Sequence, residues 1–155
     1  MKKNIVIISV EDDPGHAVLI EKNLKKSEIV RDIIKFNNGE DVLNFLLKKG
    51  DPHREKNTQY VLLLDIRMPR VDGIEVLKKI KEDDELKKMP VIILTTTDDP
   101  KEIELCYKLG CNNYITKPVD YDKFSDILKN LDSFLKILKL PSINGEEIEY
   151  HIYNN

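Results

Sequence analysis

The stretch LLLDIRMPRVDG, residues 62–73, runs apolar to one carboxylate, Asp65, and then passes into a loop marked by Pro69 and Gly73. A buried strand gains nothing from an acid at its end, because desolvating a carboxylate is costly unless something compensates. Either the strand reaches the surface at Asp65 or the acid is displayed for chemistry. Working outward, NIVIISV (4–10), VRDIIKF (30–36), YVLLLD (60–65), PVIILT (90–95) and NNYIT (112–116) read as strands. Three of them are almost continuously apolar, the pattern of strands covered on both faces. Helical periodicity fills the gaps at 14–27, 39–49, 74–88, 100–109 and 121–138. The last is the clearest, with Phe124, Ile127, Leu128, Leu131, Leu135 and Leu138 on one stripe. Pro14 and Pro100 each stand behind an aspartate suited to capping. Five β–α units in succession predict an α/β domain, a doubly wound five-stranded parallel sheet with helices on both faces.

The 155 residues fit one domain, expected over 1–140 with a short C-terminal tail at 141–155. Hydrophobic residues make up 41% and charged residues 34%, yet net charge is only −3. Lysines interleave with acids, as in KKIKEDDELKK, so solvated helix faces are expected and a nucleic-acid-binding surface is not. No apolar run is long enough to span a membrane. The N-terminal MKKNIVIISV has a short apolar run followed by EDD where a cleavage site would stand, which argues for the cytoplasm rather than export. Cys106 and Cys111 form no CxxC pair and read as small buried side chains. His16, His53 and His151 lie outside any phosphotransfer context and are expected on the surface.

In open parallel sheets, ligands collect beyond the carboxyl ends of the strands, near the reversal of strand order. Glu11, Asp12, Asp65, Thr95 and Lys117 all fall at that edge. Three carboxylates gathered there would repel one another unless a cation intervened. An all-oxygen donor set suits a hard divalent ion such as Mg²⁺. A hydroxyl at Thr95 and a point charge at Lys117 suit phosphate. Together they make Asp65 a candidate nucleophile that accepts a phosphoryl group as an acyl phosphate. Taken singly, each residue has a plainer role: EDD as a helix cap, Thr95 as a strand end, Lys117 as a surface turn.

From Lys3 to about Leu138 the chain resembles the response-regulator receiver domain of two-component signalling, the flavodoxin-like (βα)5 fold typified by the chemotaxis regulator. The matching pieces are SVEDDP, LLLDIRMPRVDG, VIILTTT and YITKP, with 30 positions from Asp65 to Thr95 and 22 from Thr95 to Lys117. The resemblance implies that Asp65 takes its phosphoryl group from a sensor histidine kinase or phosphotransfer protein. It implies Mg²⁺ held by Glu11, Asp12, Asp65 and the backbone carbonyl of Arg67, with Asp12 the more direct ligand and Glu11 acting through water. Thr95 would move toward the phosphoryl oxygen and Lys117 would pair with it. Tyr114 matches the family's switch aromatic, although a half-buried strand tyrosine is the simpler reading of that residue alone. The switching surface would be the fourth helix, fifth strand and fifth helix, roughly 98–138, acting on an unnamed downstream protein. Such a chain accepts a phosphoryl group and sheds it by hydrolysis; it does not turn over an external substrate.

The 48–59 loop, longer than in the chemotaxis type, together with TTTDDP and a tail beginning KLP, resembles stand-alone regulators that partner bacterial phytochrome-type kinases. Thr96, where the family more often has a small residue, and Arg67 are expected to alter acyl-phosphate lifetime. Phe134 and Ile137 are open to two uses, a homodimer through the fifth helix or completion of the core. Among rivals, a haloacid-dehalogenase-type phosphatase needs an acid–base aspartate where Arg67 stands. A flavodoxin-like cofactor binder needs a phosphate cradle where EDDPGH stands. A receiver-shaped scaffold that works without phosphorylation is the remaining alternative, and the intact acidic pair, acceptor, hydroxyl and lysine argue against it.

Overall fold

The computed structural model describes residues 4–47, 55 and 57–143. Five strands, β1 (Ile5–Val10), β2 (Val30–Phe36), β3 (Gln59–Leu64), β4 (Val91–Thr95) and β5 (Asn113–Thr116), form one sheet. Its order is β2-β1-β3-β4-β5 and every pairing is parallel. The helices are α1 (Pro14–Leu24), α2 (Gly39–Leu47), α3 (Gly73–Glu82), α4 (Pro100–Leu109) and α5 (Tyr121–Ile137).

Continuous apolar runs are explained by two cores, one on each face of the sheet. Successive side chains of a strand point to opposite faces. On one side Val6, Ile8, Val10, Leu62 and Leu64 pack with Val42 and Leu46 of α2, Val76, Leu77 and Ile80 of α3, and Cys106 of α4. On the other, Ile5, Ile7, Val61, Leu63, Ile92 and Leu94 pack with Ile20 and Leu24 of α1 and with Phe124, Leu128, Leu131 and Leu135 of α5. Cys106 and Cys111 are free and buried, as their sequence context predicted.

Helix starts follow the local signals. Asp13 accepts from the amides of Gly15 and His16, and Asp99 from that of Lys101, each ahead of a proline at the helix start. Asp72 and Asp120 cap α3 and α5 in the same way. Helix ends are less faithful to the sequence. The reading of 74–88 as one helix is corrected: α3 stops at Glu82, and a separate 3-10 turn covers Leu86–Lys88. The cause is Asp83, whose Oδ1 accepts from the amides of Glu85 and Leu86 at 2.9 Å each, drawing the backbone out of the helical ladder. α1 likewise ends at Leu24, three residues short of the reading. Gly110, at φ 104°, terminates α4 in the left-handed region that favours glycine.

Residues 1–3, 48–54, 56 and 144–155 lie outside the described residues, and with them most of the 48–59 loop, the far tail, His53 and His151. The start of the tail is described. Gln59 Nε2 donates to the Leu140 carbonyl at 2.7 Å, and Ile143, 1% exposed, bridges to Thr58. Among the described residues no helix is long and apolar enough to cross a membrane.

Candidate functional site

The strand order reverses beside β1, which lies between β2 and β3. The polar residues singled out by the sequence lie at the carboxyl ends around that reversal, held by hydrogen bonds that prolong the sheet. The Glu11 amide donates to the Phe36 carbonyl at 2.9 Å, that of Asp65 to Val10 at 3.1 Å and that of Lys117 to Thr95 at 2.7 Å. The site backbone is thereby as rigid as the sheet, which suits precise chemistry better than a free loop.

Glu11, Asp65, Thr95 and Lys117 are buried, while Asp12 is exposed. Lys117 Nζ pairs with Glu11 Oε1 and lies 3.4 Å from Asp65 Oδ2. Asp65 Oδ1 accepts from the Ile66 amide at 2.8 Å, which fixes the carboxylate plane. Carboxylate oxygens of Glu11, Asp12 and Asp65 lie within 4.8 Å of one another. Burial, with Asp65 beside it, pushes the Glu11 carboxyl up to about 8. Burial and the Asp65 charge raise Asp12 as well. Burial also opposes ionisation of Asp65, but Glu11 and the Lys117 charge outweigh it and hold Asp65 below the ordinary range.

Among the described residues, two buried atoms here have no hydrogen-bond partner: Glu11 Oε2 and Thr95 Oγ1. Buried polar atoms are rarely left so. An unpaired carboxylate oxygen within an all-oxygen acidic cluster fits a hard divalent cation, and an unpaired hydroxyl at the same edge fits an arriving oxygen.

Tyr114 stands on β5 and is half-buried. Its hydroxyl donates to the Thr97 carbonyl at 2.8 Å, so it is tied to the loop just past Thr95; burial pushes the phenol up to about 12. Arg67 and Thr96 are exposed. The Arg67 guanidinium reaches across to Glu102 Oε1 on α4 at 3.2 Å, and Glu102 Oε2 accepts from the Thr97 hydroxyl at 2.7 Å. The loop after Asp65 and the loop after Thr95 thus meet on one α4 carboxylate.

The placement of His16 on the surface is corrected. Its side chain is 19% exposed, with Nδ1 3.2 Å from Lys117 Nζ and 3.4 Å from Glu11 Oε1. The signal lay in the helix phase. Pro14 opens α1, so His16 stands in the first turn directly beyond the acidic pair, within reach of whatever that pair contacts. Phe134 and Ile137 do not complete the core: they are 36% and 76% exposed.

Comparison with known proteins agrees with this geometry. The response regulator receiver domain family matches residues 7–129. The response regulator Rcp1 of Synechocystis sp. is 32% identical over 138 residues, 88% of this chain and 93% of that protein. The Mn²⁺-bound form of Rcp1 superposes with a TM-score of 0.80 at 31% identity, covering 88% of this chain and 99% of the other. A receiver domain from Rhodospirillum rubrum gives 0.83 at 41% identity over 91% of this chain and 100% of that one. The phosphorylated cyanobacterial phytochrome response regulator RcpA gives 0.83 at 31% over 90% and 99%. Sheet order, the acidic edge and the family match over 7–129 lead to one conclusion: the chain belongs to the response regulator receiver domain family.

Proposed function

We propose that this receiver domain is a switch that accepts a phosphoryl group on Asp65 from a phosphohistidine of a sensor histidine kinase or phosphotransfer protein. An Asp65 oxygen forms the new P–O bond as the P–N bond breaks, and the donor imidazole keeps the electron pair. The observation that carries the reading is the buried cluster of Asp65, Glu11 and Lys117 with two unpaired atoms, Glu11 Oε2 and Thr95 Oγ1. Glu11, Asp12, Asp65 and the Arg67 carbonyl would hold Mg²⁺, which would screen the carboxylates and the entering phosphoryl oxygens from one another. Lys117 offers its charge to a phosphoryl oxygen from a buried position, where low dielectric strengthens the attraction. The Thr95 hydroxyl would donate to another.

Phosphorylation acts by favouring one of two accessible arrangements. Tyr114 is tied to Thr97, two residues past Thr95, so a shift of that loop toward the phosphoryl group bears on the α4–β5–α5 surface. On that surface a groove is lined by Tyr114, Ile115, Ile127, Leu131 and Phe134. The homodimer through α5 belongs to this reading, with Phe134 and Ile137 as exposed apolar surface. A phytochrome-type kinase as donor is supported by the similarity to Rcp1 and to the phytochrome response regulator RcpA.

The test is labelling with acetyl phosphate, or beryllofluoride titration, with and without Mg²⁺. One acid-labile phosphoryl group on the wild type and none on Asp65→Asn is the expected result. Equal labelling of Asp65→Asn, or labelling indifferent to Mg²⁺, would refute the assignment.

A further inference from the structure

An ammonium group has three N–H donors, and Lys117, 5% exposed, has little access to water for any of them. Three acceptors surround its Nζ: Glu11 Oε1, Asp65 Oδ2 at 3.4 Å and His16 Nδ1 at 3.2 Å. In the proposed function, two of the three have other work. Glu11 faces a cation, and Asp65 becomes an acyl phosphate. Only His16 has no other task.

We infer that His16 is the positioning residue of the phosphoryl-binding lysine, accepting from Lys117 Nζ through Nδ1 and holding the ammonium at the mouth of the acceptor while the carboxylates change partners. The inference rests on the reading of Asp65 as acceptor. An imidazole accepting at Nδ1 carries its proton on Nε2. Lys117 Nζ is closer to Nδ1 than either neighbouring carboxylate, Glu11 Oε1 at 3.4 Å or Asp13 Oδ2 at 3.8 Å, so the ammonium is the donor that this nitrogen meets first. The ring is also held from behind. It packs against Phe124 with centroids 5.7 Å apart and edge-on to Tyr121 at 6.4 Å, both in the first turn of α5. α1 and α5 together therefore aim the imidazole, and the imidazole aims the lysine. Lysine is a flexible four-carbon stem with a point charge, so its position must be imposed by partners.

His16→Leu keeps the bulk and removes the acceptor, whereas His16→Asn keeps an acceptor near the position of Nδ1. Acetyl phosphate labelling at saturating Mg²⁺ should slow about 5- to 10-fold in His16→Leu and return to within about twofold of wild type in His16→Asn. Urea midpoints of the two variants should be alike. Equal rates in His16→Leu and wild type, or equal slowing in both variants, would overturn the inference. Proton exchange at Lys117 Nζ, read by nitrogen-detected NMR on the metal-free wild type, gives a second measure that needs no phosphorylation. A Lys117 ammonium signal protected relative to surface lysines is expected, and its loss in His16→Leu. Exchange in the wild type as fast as at surface lysines would overturn the inference independently of whether Asp65 is the acceptor. A wild type that fails to label at all would instead sink the acceptor reading and leave the NMR result standing.

Discussion

Gly73 opens α3 nine residues after Leu64 ends β3, and it is where a single methyl group should do the most damage to this site. A Cβ there would lie 2.1 Å from the Asp65 carbonyl oxygen, 2.7 Å from Ile66 Cα and 2.9 Å from the Asp65 carbonyl carbon. All three are backbone atoms of Asp65 and Ile66, and the Gly73 amide already donates to the Ile66 carbonyl at 2.7 Å. No side chain can swing aside, so α3 and the end of β3 must part by roughly 1 Å, a shift that close-packed interiors resist. Overpacking costs typically about 1–3 kcal/mol, and a contact made wholly of backbone belongs at the upper end, about 3 kcal/mol. The same shift moves the Asp65 carboxylate relative to Lys117, and a misplacement of about 1 Å can cost around 100-fold in rate. The assay pairs urea denaturation of Gly73→Ala with its acetyl phosphate labelling rate. Gly15→Ala is the control, since its Cβ would meet only the side-chain atoms Asp13 Oδ1 at 3.3 Å and Tyr121 OH at 3.4 Å. That variant should stay within about 0.5 kcal/mol of wild type. A Gly73→Ala protein equally unperturbed in stability and labelling would refute the reasoning.

The metal-free protein should lose stability as pH rises from about 4.5, the ordinary carboxyl value, to about 8. The Glu11 carboxyl is raised by burial to about 8, and a raised folded value stabilises below the unfolded value and ceases to do so as pH climbs through the folded one. Asp65, lowered, contributes a constant amount over that window. Mg²⁺ competes with the proton on Glu11, so the Tm gained on adding it should be larger at pH 8.5 than at pH 6, and a gain that shrinks with pH would contradict the site. Cys106 is fully buried and its thiol is pushed up by burial to about 11, with Cys111 raised likewise. Neither should react with a disulfide reagent at pH 8 until the protein unfolds, and prompt native reaction would contradict their packing. Arg67→Ala and Thr96→Ala should change the acyl-phosphate lifetime while leaving stability within about 0.5 kcal/mol, since both side chains are exposed and the Arg67–Glu102 pair is a surface one. Unchanged hydrolysis rates would refute that expectation.

Much of the molecule was legible in its residues because the signals are local. Runs such as VLLL and VIIL carry no polar alternation, and only a sheet covered on both faces accommodates them. Asp13–Pro14 and Asp99–Pro100 announce helix starts through hydrogen bonds spanning two or three residues. The gathering of these side chains was legible because parallel topology sends every strand's carboxyl end to the same edge, so Glu11, Asp12, Asp65, Thr95 and Lys117 could be placed together from the sequence. What periodicity could not show was where a side chain diverts the backbone, as Asp83 does in ending α3, or which apolar residues are left over, as Phe134 and Ile137 are. It also could not place His16 against Lys117. That contact joins residues 101 positions apart, through the docking of α1 beside α5, and its direction depends on rings that α5 presents from behind. Long-range contacts of this kind are set by how whole elements pack. Strand ends and helix caps are written in the chain itself, and the neighbours of the lysine only exist once the layers close around it.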